Sequence, residues 1–183
     1  MLRIIGGSWR GRTWRFPEGE IRPTPDRVRE TLFNWLAPSI AGARCLDLFA
    51  GSGALGLEAL SRGAARAVFV EQARVAAREL RQTLALWGGE AAAAAQIHVM
   101  DATAFLGGKP ELFEVVFLDP PFAAGLLARI AARLEAGQWL APGALIYAEC
   151  PARASLPPLP ACWTVAKTGR AGEVGYHLLR RTP

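Results

Sequence analysis

The segment that most constrains this chain is Asp47-Leu-Phe-Ala-Gly-Ser-Gly-Ala-Leu-Gly56, where an apolar run, Ala43–Phe49, gives way to a glycine loop and then to a helix-forming stretch through about Ser61. A chain that passes from strand to helix through three glycines makes a tight turn, and its backbone can approach a ligand closely. The alternation continues downstream. Ala67–Glu71, Ile97–Met100, Val115–Asp119 and Ala144–Glu149 read as short buried strands. Between them, Ala73–Trp87 and Gly125–Leu140 have helical periodicity, with Val75, Leu80, Leu84 and Trp87 on one stripe and Leu126, Ile130, Leu134 and Trp139 on the other. Strands that alternate with helices imply a mostly parallel sheet covered on both faces, so the fold class is α/β.

The flanks extend this frame. Asp26–Leu36 places Val28, Leu32, Phe33 and Leu36 on one helical face. Trp163–Lys167 and Gly175–Arg180 suit an antiparallel hairpin across Gly169–Gly175 at the sheet edge, and residues 1–16 a small β appendage. The Ala91–Ala95 run reads as a connection and Ser155–Pro160 as a stiff linker. The division expected is a basic appendage over residues 1–21 and a catalytic domain over 22–183. Three scattered cysteines and two histidines give no disulfide framework and no metal cage, and no apolar stretch is long enough to span a bilayer. With no leader-like N-terminus, a reduced, cytoplasmic protein is expected. Charge is unevenly spread: residues 1–15 carry four arginines and no acid, residues 151–183 five basic groups and one acid, while residues 16–150 hold twelve basic and fifteen acidic groups. Basic ends on a slightly acidic centre fit contact with a phosphate backbone, although solubility alone explains them as well.

In open parallel sheets, ligands bind at the carboxyl ends of strands. Asp47, Glu71, Asp101 and Asp119 fall at or just beyond four successive strand ends, which points to one crevice. The glycine loop with Glu71 twenty residues beyond Gly51 also satisfies a nicotinamide-dinucleotide pattern. Two features oppose that reading. Asp47, four residues before the first glycine, repels a pyrophosphate and suits a ligand carrying ammonium and sulfonium groups. Asp119-Pro-Pro-Phe122 has no use in hydride transfer.

These motifs together resemble the Rossmann-like methyltransferases that use S-adenosylmethionine, and DPPF matches their amino-methylating motif. With RIIGGSWRGR, RPTPDRVRETLFNWL and LIYAE added, nearly the whole chain resembles the bacterial small-subunit 16S rRNA guanine-N2 methyltransferase family. The resemblance implies a seven-stranded Rossmann-like sheet and a monomer acting on 16S rRNA within a small-subunit assembly particle, with S-adenosyl-L-homocysteine as by-product. It assigns the methionine end and ribose to the loop Phe49, Ala50, Gly51, Gly53 and Gly56 with Asp47, and the ribose hydroxyls to Glu71. The adenine goes to Asp101 and Ala102, while Arg22 and Thr24 border the cofactor. Gln72 stands where relatives usually carry an acidic or polar residue.

Guanine N2 is a poor nucleophile because its lone pair is delocalised into the ring. The Asp119 carboxylate and the Pro120 carbonyl can accept its two N–H bonds, Pro121 stiffens the loop, and Phe122 can stack on an extruded base. Ser8-Trp-Arg-Gly-Arg-Thr-Trp-Arg-Phe16 interleaves arginines with aromatics, so Trp9, Arg10, Arg12 and Arg15, with Arg3, Arg27 and Arg170, are the RNA-contact candidates; packing of Trp9 or Trp14 on the core is the competing reading. A DNA adenine-N6 methyltransferase using the same DPPF chemistry is the main alternative function, but it usually needs a larger target-recognition region.

Overall fold

In the computed structural model of the chain, residues 1–16, 24–122 and 125–182 are described. Arg22 and the proposed boundary after residue 21 lie outside them. Two short strands, β1 (Leu2–Arg3) and β2 (Thr13–Trp14), pair antiparallel, and α1 (Asp26–Leu36) follows. Then come β3 (Arg44–Asp47), α2 (Ala54–Ser61), β4 (Arg66–Val70), α3 (Arg74–Trp87), α4 (Gly89–Ala93) and β5 (Ala95–His98). After α5 (Ala102–Phe105), β6 (Phe113–Leu118) and α6 (Leu126–Ala136), the chain closes with β7 (Leu140–Pro151), β8 (Trp163–Ala171) and β9 (Val174–Arg181). The seven-stranded sheet runs β5-β4-β3-β6-β7-β9-β8, parallel through β7 and antiparallel over the last two strands.

Strand residues alternate between two apolar layers, as a sheet buried on both faces requires, except at Phe113, where a register irregularity before Val115 shifts the pattern. Cys45, Phe69, Val115, Phe117, Leu145 and Tyr147 join the layer under α1, α2 and α3. Leu46, Val68, Val116, Leu118, Ile146 and Ala148 join the layer under α5 and α6. The appendage is built into the first layer, because Ile4, Trp9 and Trp14 are all buried there. A buried carboxylate fixes it. Glu58 of α2 accepts the Ile5 and Gly6 amides at 2.9 and 2.8 Å and pairs with Arg62 at 2.8 Å.

Several element readings are corrected. Val75 is 52% exposed and off the packed stripe of α3, which is Ala76, Ala77, Leu80, Thr83 and Leu84. Five residues separate Val75 from Leu80, about 140° round a helix of 3.6 residues per turn. Helix α6 stops at Ala136, where Gly137 caps it. Trp139 then turns into the second layer against Phe105 and Phe113, and β7 begins at Leu140. Ala91–Ala95 is the end of α4 and the first residue of β5 rather than a plain connection. The hairpin is longer than its pattern, pairing Ala171 with Val174 across a two-residue turn.

Candidate active site at the carboxyl ends of the strands

Asp47 ends β3 and is almost fully buried. Its Oδ2 accepts the Gly56 amide at 3.2 Å, which satisfies one of the donors that the first turn of α2 leaves unpaired. Burial, with a further push from the Glu71 carboxylate, raises its pKa to about 7 against the stabilising bonds from Gly56 and Phe49. The loop needs its glycines for two reasons. Gly53 caps α2 at φ 77°, in the left-handed region. A Cβ on Gly56 would stand 2.2 Å from the Phe69 ring, so α2 and β4 can approach this closely only through glycine.

Glu71, just beyond β4, has a role that its ribose assignment did not anticipate. Its Oε2 accepts the Gly51 amide and its Oε1 the Ala73 amide, each at 2.7 Å, so one buried carboxylate fastens the glycine loop to the start of α3. Ala50 is tied to the same place by its backbone N–H, which donates to the Val70 carbonyl at 3.0 Å. Phe49 is half-buried beside them and Gln72 is exposed. Asp101 is the N-cap of α5, with Oδ1 accepting the Thr103 and Ala104 amides at 2.7 and 3.2 Å, and Ala102 is buried next to it.

The second half of the site lies on β6 and β7. Phe117 and Tyr147 are register partners in one layer, and Leu118 pairs with Ala148. One step along the same pleat, Asp119 meets Glu149. Sequence reading gave Glu149 no role, although the LIYAE run that ends β7 as Asp119 ends β6 carried the signal. Glu149 is buried; its Oε1 accepts the Tyr147 hydroxyl at 2.7 Å and the Thr24 hydroxyl at 3.4 Å. Burial first, then the carboxylates of Glu149 and Asp47, pushes Asp119 well above the ordinary range. Burial also raises Glu149. Two carboxyls this close share a proton rather than both ionise. A cavity of about 230 Å³ opens here between Pro120, Pro121 and Phe122 on one side and Glu149, Cys150 and Pro151 on the other. Phe122 is 54% exposed at its rim.

The basic surface is only partly as expected. Arg10, Arg12, Arg15, Arg27 and Arg170 are exposed, and Arg3 pairs with Asp26 at 2.8 Å while keeping most of its side chain in solvent. Arg12 donates to the Trp87 carbonyl at 3.1 Å and lies over its ring. Trp9 is a correction. It is buried and meets Trp87 edge to face at 5.1 Å, so its ring is spent on the core and has no face left for a base. Trp14 is buried too, and its indole N–H donates to the Ser52 carbonyl in the glycine loop at 3.0 Å. Arg170 pairs in register with Gly175, which pairs with Cys150, so it stands at the same sheet end as Glu149.

The chain is similar over almost its whole length to known proteins. The family described as Conserved hypothetical protein 95 matches residues 2–180. Ribosomal RNA small subunit methyltransferase D of Escherichia coli K12 is 50% identical over 182 residues, 98% of this chain and 90% of its own length. The protein of that name from Haemophilus influenzae is 43% identical over 97% of this chain and 92% of its own. The chain belongs to the small-subunit methyltransferase D family. It is therefore a methyltransferase. The solved structure of the Escherichia coli protein yhhF superposes with a TM-score of 0.91 at 48% identity, covering 99% of this chain and 98% of that one. An RNA methyltransferase of Salinibacter ruber, solved with S-adenosyl-L-homocysteine, shares the fold at 17% identity and a TM-score of 0.67.

Proposed function

We propose that this enzyme transfers a methyl group from S-adenosylmethionine to the exocyclic N2 amine of a guanine in 16S rRNA, acting as a cytoplasmic monomer on a small-subunit assembly particle. The observation that carries this reading is the row of buried acids beside the DPPF cavity. Asp47, Glu71 and Glu149 are buried with Asp119 next to them, and among the described residues none of the four pairs with an Arg or Lys. Four acids held by shared protons, hydroxyls and backbone amides rather than by a basic side chain favour a cation over an anion, so the cluster fits a ligand with an ammonium and a sulfonium and does not fit a pyrophosphate.

Asp47 and the Gly51–Gly53 turn would hold the methionine end and Glu71 the ribose. Asp101 and Ala102 would hold the adenine, with Phe49, Ala50, Gly56 and Gln72 around the cofactor; Thr24 borders the site on the Glu149 side, and Arg22 is a further cofactor candidate from the sequence. When bound, S-adenosylmethionine supplies an electrophilic methyl carbon on sulfur. The remaining work falls to the chain. Asp119 and the Pro120 carbonyl accept hydrogen bonds from the two N–H groups of the target amine and turn its lone pair toward that carbon; as the N–C bond forms and the C–S bond breaks, one amine proton leaves to solvent past the Asp119 carboxylate. Pro121 keeps the loop stiff, and Phe122 stacks on the base at the cavity rim. Rate enhancement then comes mainly from orientation. Arg3, Arg10, Arg12, Arg15, Arg27 and Arg170 would contact phosphates; the appendage, residues 1–21, is thus an RNA-contact element on the domain of residues 22–183. The test is methylation of small subunits from a strain lacking the enzyme, followed by mapping of the modified base. Modification at adenine N6, or none, would defeat the proposal.

A further inference from the structure

We infer that Glu149 is a specificity-determining residue: its carboxylate accepts the N1–H of the target guanine while Asp119 accepts the neighbouring N2–H. The inference rests on guanine N2 as the methylated position and adds how that base is told from others. Guanine presents N1–H and N2–H side by side on its Watson–Crick edge, two donors in one row. Adenine presents an acceptor at N1 beside its amine. A pocket that reads an extruded base along this edge therefore selects guanine by offering two adjacent acceptors.

Asp119 and Glu149 are such a pair. They lie opposite one another on the same face of neighbouring parallel strands, one step beyond the Leu118–Ala148 pairing. Glu149 and the Pro120–Phe122 segment that directly follows Asp119 both line the cavity of about 230 Å³, so the pair of acceptors stands at its border. The position of Glu149 is fixed by the protein. The Tyr147 and Thr24 hydroxyls both donate to Oε1, so the second oxygen is left to face Asp119 or a ligand. The proton shared by the two carboxyls when the pocket is empty leaves to solvent as the base enters, and the N1–H and N2–H donors then stabilise the two carboxylates in its place. A carboxylate placed here only to fill the core would not need two hydroxyl donors, because an apolar side chain of similar volume avoids burying a charge.

The experiment uses small subunits reconstituted from 16S rRNA that carries either guanine or 2-aminopurine at the methylated position. 2-Aminopurine keeps the 2-amino group and lacks the N1–H. Single-turnover methylation by the full chain should favour guanine by roughly 10- to 100-fold, the worth of one hydrogen bond to a charged group. Glu149→Gln can donate to the bare N1, so the preference should shrink to within about threefold, with guanine losing rate and 2-aminopurine gaining it. Tyr147→Phe, which frees the carboxylate from one donor, should move the ratio part of the way. A folded Glu149→Gln protein with the wild-type ratio would overturn the inference. So would equal wild-type rates on both bases, which decides the matter even if the variant fails to fold. In either case methylation at guanine N2 still stands. If the wild type leaves guanine N2 unmodified, it is the proposed function that fails, and the inference with it.

Discussion

Replacing Glu71 by Gln separates two things that one carboxylate does. In the wild type each oxygen accepts a backbone amide at 2.7 Å, from Gly51 on one side and Ala73 on the other. An amide side chain has one acceptor, so one of these buried N–H groups must face an NH₂. That loses a hydrogen bond to a charged group, ~1.5–3 kcal/mol, and weakens the other to a neutral bond, for a total of about 2–4 kcal/mol. For a chain of this length about 1 kcal/mol moves the melting temperature by ~2–4 °C, so the cofactor-free protein should melt roughly 5–15 °C lower. Thermal unfolding by circular dichroism without cofactor measures the fastening of the loop alone. Calorimetric titration with S-adenosyl-L-homocysteine measures the loop plus any ribose contact. A cofactor-free melting temperature within about 1 °C of wild type would refute the fastening. If affinity still fell in that case, Glu71 would be a ribose ligand only.

Asp119→Ala should keep the fold and most cofactor binding, because Glu71 and Asp101 lie on other strand ends, while single-turnover methylation falls by about 10²-fold or more; near-normal turnover in a folded protein would remove Asp119 from the mechanism. Burial holds the Asp47 carboxyl up at about 7, well above the ordinary aspartate value of ~3.9. The folded state therefore binds its proton more tightly, and its contribution to stability falls as pH rises from about 4 to about 7. Denaturant unfolding of Asp47→Asn across that window should show a flatter pH dependence than wild type, and an unchanged slope would contradict the burial argument. Replacing Arg10, Arg12 and Arg15 together by Ala should weaken RNA binding and reduce the salt slope by about 2–3, with cofactor affinity spared. Filter binding at several salt concentrations checks this, and a wild-type slope would assign the segment to folding.

What the sequence determined by itself was the frame and one half of the site. A glycine loop after an apolar strand, with acids at successive strand ends, has few ways to fold. Asp47, Glu71 and Asp119 were legible because period and spacing place them. Local pattern also gave α1 residue for residue, since its apolar face, Val28, Leu32, Phe33 and Leu36, is set within a few positions. Tertiary structure decided what depends on neighbours remote in sequence. Trp9 carries no local sign of whether Trp87, 78 residues away, will take up its ring, and here it does. Glu71 looked like a ligand group because the amides of Gly51 and Ala73 that it fastens are invisible until the loop is folded over it. Glu149 became part of the site only when β7 settled beside β6 in a register that brings it opposite Asp119. A pattern of residues fixes which side of a strand a group faces; pairing between strands fixes what it meets there, and the chemistry of this site lies in that meeting.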